Sequence, residues 1–238
     1  MCVLCCVRAL QQIANSSFKM RFLQPLLLAA TAASLGFEPL PQWPLEFSAN
    51  FTSPSSAKNT SGFWASSSEH RSEVLRFHDG TRDHLCSAYH NGTACTVLAT
   101  GGWRYLIWPE LKSCCRCCSD ATGCGALRPD WLANATGNIH YEGIVTVRAA
   151  DDPARRCHKW AVIGLSAQYP NYYLQAADGS GRPCEFDGYN YLRTPAERAD
   201  DEYVLTLSSY APLAPPSLFK PPPECDAATM CGSPVCDT

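Results

Sequence analysis

The sequence predicts a mainly β protein: antiparallel sheets curved into a half-barrel or sandwich around a hydrophobic pocket. Short helices and a Cys-rich, Pro-rich C-terminal tail complete it. Three observations carry this. Many short segments alternate apolar and polar residues, which is the period of a half-buried strand. Turn signals separate them, among them Asn91-Gly92. Stretches with helical periodicity are few.

In residues 45–51, Leu45, Phe47, Ala49 and Phe51 share one face, and Glu46, Ser48 and Asn50 share the other. Residues 53–61 and 66–68 read as polar loops. Residues 73–78 read as a short strand with Leu75 and Phe77 on one face. Segments 85–90 and 93–100 flank Asn91-Gly92, whose two residues accept the positive φ of a tight hairpin. That register sets Cys86 and Cys95 diagonally on one face, so a bridge between them requires a shift or bulge. Residues 102–108 place Trp103, Tyr105 and Ile107 opposite Arg104, Leu106 and Trp108. Large apolar groups on both faces suit a strand in the middle of the sheet.

Residues 139–148 alternate again, with Ile139, Tyr141, Val145 and Val147 against His140, Glu142, Thr146 and Arg148. Strands follow at 157–165 and 171–177, and Asp178-Gly179-Ser180-Gly181 reads as a turn. Thr194-Pro195-Ala196-Glu197 is a capping box with Pro at the first helical position, so it predicts a short helix to about Asp201. A last strand spans 202–208. From residue 211 the character changes. Pro212, Pro215, Pro216, Pro221, Pro222 and Pro223 cannot donate to a sheet ladder and favour an extended form.

The chain divides into an extension with a leader (1–36), one β-rich domain (37–210) and the tail (211–238). Met20-Arg21, an apolar run at 22–33 and the small residues Ala30, Ala32, Ala33, Ser34 and Gly36 have the form of a signal peptide starting at Met20. The run is too short to span a membrane, and no second candidate follows. Residues 1–19 are either an upstream extension or a long n-region. The sequons at Asn50, Asn59, Asn91 and Asn134 account for four of the seven asparagines beyond the leader, which supports a glycoprotein that passes through the secretory pathway.

The leader takes Arg8, Lys19 and Arg21 and no acid, leaving 16 basic against 22 acidic side chains, a net charge of −6. A chain this acidic, with no basic run longer than Arg155-Arg156, offers no electrostatic footprint for nucleic acid. Twelve cysteines remain of fifteen. Export makes disulfides the expected state of Cys86, Cys95, Cys114, Cys115, Cys117, Cys118, Cys124, Cys157, Cys184, Cys225, Cys231 and Cys236. Cys114 to Cys118 with Cys124 offers the alternative of a soft-metal grip, but the spacing lacks the two separated knuckles of a zinc ribbon. Parity adds a constraint. Nine cysteines lie in the body and three in the tail, so complete pairing ties the tail to the body by at least one bridge. A packed tail buries Leu218 or Phe219. The competing reading is a mobile tail with a local loop and one free thiol.

No catalytic motif is present: no Gly-x-Ser-x-Gly elbow, no His-Glu-x-x-His, no phosphate loop and no Gly-x-Gly-x-x-Gly. The six histidines show no metal-ligand spacing, so no metal, no cofactor and no catalytic residue is expected. Turn acids at Asp79, Asp83, Asp151, Asp152, Asp200 and Asp201 offer weak calcium binding at most, and solvated turns are the plainer reading.

The ordered series Trp103-Arg104-Tyr105, Cys114, Pro129-Asp130-Trp131, Tyr141-Glu142-Gly143, Trp160, Tyr172-Tyr173 and Pro183-Cys184 resembles the ependymin-related secreted proteins. The likeness is one of pattern over 103–184 and extends loosely over 44–210. It implies a secreted, glycosylated, disulfide-linked protein with antiparallel sheets curved around a deep hydrophobic pocket, as in bacterial lipoprotein carriers. The chain departs from the family in its 114–124 cluster, its Cys-rich tail and the order Pro183 then Cys184. The expected function is binding of a hydrophobic small molecule or lipid, with Trp103, Tyr105, Trp108, Tyr141, Trp160, Tyr172 and Tyr173 as pocket candidates. For any one of them an ordinary core aromatic is the plainer reading. The alternative is an extracellular structural or adhesion module with a matrix or cell-surface partner and no ligand. The sequence does not fix the oligomeric state.

Overall fold

The computed structural model describes residues 41–53, 60–78, 86, 89–90, 92–134, 138–163, 170–190, 197–232 and 236. Side chains at 133–134, 188–190 and 197–202 are outside that description, as are the leader, Asn59 and Asn91. Among the described residues, eleven strands form one open antiparallel sheet, with one short helix and several 3-10 turns.

The first six strands are β1 (Glu46–Ser53), β2 (Thr60–Ser67), β3 (Ser72–Phe77), β4 (Cys95–Thr100), β5 (Trp103–Trp108) and β6 (Ser113–Ser119). The last five are β7 (Ile139–Val147), β8 (Arg155–Val162), β9 (Asn171–Ala176), β10 (Pro183–Asn190) and β11 (Glu197–Ala211). Helix α1 is Trp131–Asn134. Each set is a meander in which consecutive strands pair, and β1 pairs β11 to join the two sets. Strands β6 and β7, consecutive in sequence, therefore stand at opposite edges of the sheet.

The sheet curves. Trp43 lies 5.6 Å from Trp64 of β2 and 5.7 Å from Tyr173 of β9, centroid to centroid. Those two rings are thus within about 11 Å, whereas flat strands four positions apart would stand roughly 19 Å apart. The face that carries these rings is the inner one. It presents Phe47, Phe51, Phe77, Leu106, Trp108, Trp160 and Leu205 to one continuous core.

Two smaller clusters cover the outer face. Val74, Leu98 and Ile107 pack beneath Ala214, Phe219 and Cys225 of the tail, and Val147, Cys157, Leu174, Cys184 and Val204 pack together on the second meander. Phe219 is buried and Leu218 half-buried, so the tail lies on the body, the outcome expected if every cysteine pairs.

All twelve cysteines beyond the leader pair. Three bridges, Cys114–Cys225, Cys115–Cys231 and Cys117–Cys236, stitch the tail to β6. Cys118–Cys124, Cys157–Cys184 and Cys86–Cys95 complete the set. Between the stitches, Arg116 N donates to Thr229 O at 2.9 Å and Cys231 N donates to Arg116 O at 2.8 Å. The tail thus occupies backbone groups that an edge strand would otherwise present to solvent.

Several local expectations need correction. Of the expected 85–90 strand, the described residues are not in a strand: Cys86 lies in a 3-10 turn and Tyr89–His90 in turn and coil, so Cys86 pairs with Cys95 from outside the ladder. The helix expected from the capping box at 194–197 to about Asp201 is replaced over its described residues, 197–201, by strand. Glu197 opens β11, whose pairing with β10 overrides the local signal. Ser66 and Ser67 are buried in β2, not in a polar loop, because β1 and β3 both pair there. Segment 113–119 is a strand that the cysteine run concealed. In β7 a bulge at Tyr141/Gly143, with Gly143 at φ +98°, flips the alternation. Ile139 and Tyr141 therefore pack on the inner core, while Val145 and Val147 pack on the outer cluster.

Candidate functional site: an aromatic basin under a crossover

The inner face carries an unbroken row of aromatic rings. From β7 inward they run Tyr141, Trp160, Tyr173, Trp43, Trp64, Tyr203, Phe51 and Phe77, each 5.1–6.0 Å from the next. Period-two strands put alternate residues on one face, and the curvature makes that face a concave basin, which these rings fill as packed core. The connection from β6 to β7 crosses it, because those strands occupy opposite edges. Trp131 at the start of α1 packs 5.9 Å from Trp43, 6.2 Å from Tyr173 and 6.1 Å from Phe186. Leu132 is buried in the same core.

Among the described residues, four indole N–H groups of this inner face, those of Trp43, Trp64, Trp108 and Trp131, are buried without a hydrogen-bond acceptor. Orphaned buried donors are uncommon, and an acceptor supplied from outside the chain is one way to satisfy them. The Trp64 indole lies beside Glu73 of β3. Glu73 is a buried carboxyl that accepts Leu127 N–H of the crossover at 2.9 Å. Burial pushes its pKa up. The Leu127 N–H, the Arg104 charge and the Trp64 indole each hold it down in part. The Tyr173 hydroxyl donates to Gln42 O at 2.7 Å, and burial pushes its pKa far above the usual phenol range. That bond fixes the segment carrying Trp43 over β9.

The seven aromatic candidates divide between the two faces. Trp108, Trp160 and Tyr173 are buried in the inner core, and Tyr141 packs against it. Tyr105 lies on the outer face beneath the tail, and Trp103 sits under the Arg116 guanidinium at 5.1 Å. Tyr172 belongs to the outer cluster of the second meander, with the Lys159 ammonium 3.8 Å from its ring centroid. Sequence reasoning missed Trp43, Trp64, Trp131, Phe186, Tyr203 and Glu73. Trp131 stood within a quoted motif, but nothing local indicated that its loop would cross the sheet.

The outer face holds a different kind of cleft, of about 510 Å³, between Ile144, Arg155, Arg156, Ala176, Arg182 and Leu207. Its charges are largely spent on one another. Arg155 is buried, pairs with Asp151 and donates to Leu205 O at 2.5 Å. Burial alone would raise the Asp151 pKa, but the Ser208 N–H and Arg155 more than offset it, and the pKa falls. Asp178, hydrogen-bonded to Ser180 and paired with Arg182 at 2.6 Å, is pulled down to about 2. Asn50 is exposed on β1, on the face away from the basin. Among the described residues, no helix is long and apolar enough to cross a membrane.

No family model and no curated protein matches the chain. Among solved structures, an uncharacterized conserved protein from Thermus thermophilus is similar at 10% identity, with a TM-score of 0.45 over 78% of this chain and 90% of the other.

Proposed function

We propose that this protein is a secreted, glycosylated, non-enzymatic carrier of a hydrophobic small molecule or lipid, held in the aromatic basin beneath the crossover segment that carries Leu127 and Trp131. One observation carries the reading: a curved inner face lined by aromatic rings and bearing four buried indole donors without acceptors. Such a surface suits an apolar ligand with an oxygen acceptor at one end. The ependymin-related resemblance points the same way, and twelve paired cysteines suit an oxidising, extracellular setting.

The test is protein from a eukaryotic secretory host, analysed by native mass spectrometry and organic extraction. A fluorescent fatty acid should bind and be displaced by the extracted ligand, and Trp131→Ala should weaken that binding. Absence of both a co-purifying lipid and probe binding sinks the carrier reading. It would favour the second reading, an extracellular structural or adhesion module, which the triple stitching of the tail supports independently.

A further inference from the structure

The fold brings together three side chains that no sequence motif associates. Glu46 opens β1, and Glu69 and His70 lie in the turn between β2 and β3. A carboxylate oxygen from each glutamate and a ring nitrogen of His70 all lie within 4.8 Å of one another. We propose that these residues form a binding site for a divalent first-row transition ion of the zinc class. The site is separate from the basin and does not depend on the carrier reading.

The geometry is held from several directions. Glu46 stands opposite Ser67 in the β1–β2 register, and the Ser67 hydroxyl donates to Glu46 Oε1 at 2.8 Å. That bond orients the carboxylate and leaves its other oxygen free, the support a ligating carboxylate requires. The turn itself is pinned by Ser68 N to Leu45 O at 2.8 Å and by the Ser72 hydroxyl to His70 O at 2.8 Å. The His70 ring packs 6.3 Å from Phe219 of the tail, which the disulfides hold in place.

Electrostatics point to a cation. Two carboxylates this close repel, and among the described residues no Lys or Arg pairs with either of them. The neighbouring Arg71 reaches Asp120 instead, at 3.8 Å. The donor set selects the class of ion. Calcium and magnesium take oxygen ligands in sets of six or more, whereas zinc accepts mixed imidazole and carboxylate ligands in sets of four. Three protein donors leave one position for water or for a group from a partner.

The experiment is titration calorimetry of the full secreted chain, disulfides intact and chelator-treated, with zinc chloride. The expected result is one saturable site per chain. His70→Ala and Glu69→Gln should each weaken it at least tenfold, His78→Ala should leave it unchanged, and equimolar calcium should not displace the ion. Both test residues are exposed, so the variants should keep the parent melting temperature in the metal-free state. Should Glu46→Gln fail to fold, those two variants still decide the matter. Absence of stoichiometric binding overturns the proposal. So does full retention in the His70 and Glu69 variants, or displacement by equimolar calcium.

Discussion

Removing one tail stitch should cost much less than removing the last one. The three bridges span sequence separations of 111, 116 and 119 residues. Closing a loop of that size withdraws about 4.8 kcal/mol of entropy from the unfolded chain at 25 °C. With one stitch in place, however, the next closes a ring of only roughly eight residues, worth about 2.5 kcal/mol. The double variant Cys114→Ser/Cys225→Ser should therefore lose about 2.5 kcal/mol, and removing a second pair should lose a similar amount. Removing the third should lose about 4.8 kcal/mol, taking the total near ~10 kcal/mol, comparable to the whole stability of an ordinary domain. Non-reducing denaturant titrations of the series measure this, read at constant slope. A first deletion that already costs about 5 kcal/mol, or a third that costs no more than the first, would refute the nested-loop account.

Two further predictions concern buried charge. Asp151→Ala strands the buried Arg155 guanidinium and should destabilise by about 3 kcal/mol at neutral pH. Because the folded-state pKa of Asp151 is depressed, its contribution is complete above the ordinary carboxylate range and is lost as pH falls through the folded value. Acid titration of wild type against Asp151→Asn should show the two curves converging only at low pH. Glu73 has the opposite sign. Its folded pKa is raised, so it opposes folding increasingly as pH rises from the ordinary carboxylate range through the folded value. Glu73→Gln should match wild type at about pH 4 and exceed it at about pH 8, as read from thermal melts. A variant equally destabilised at both would show that the Leu127 hydrogen bond outweighs the burial of charge.

The clearest elements in the sequence were those whose residues alternate over a whole strand. Residues 46–51 declared both their strand and their inner face, because Phe47, Ala49 and Phe51 needed burial together, whereas Leu45, read on the same face, precedes β1 and is exposed. Strand β6 was hidden because four cysteines among seven residues carry no usable polar–apolar period. Their chemistry was nonetheless legible: complete pairing of nine body and three tail cysteines required that the tail be tied down. The β7 bulge escaped because a single glycine, Gly143, reverses the facing of everything beyond it. The basin was half legible. Trp108, Trp160 and Tyr173 were within reach of pattern reading, but Trp43 and Trp131 enter from outside the regular strands. The Glu46, Glu69 and His70 cluster depends on a strand register that no local signal specifies.

The order of strands has a consequence for how the chain reaches this structure. Nearly every sheet contact joins a strand to its immediate successor, so each meander can form from hairpins of low sequence separation. Among the eleven strands, only the β1–β11 ladder joins strands that are distant in sequence. The two meanders should thus assemble as separate units, with β1 against β11 as the slow zipping step between them. Until that step, each half leaves one long strand edge open, and a second copy of the chain can supply the missing ladder. Exchange of whole meanders between two chains is the failure this arrangement invites in concentrated refolding.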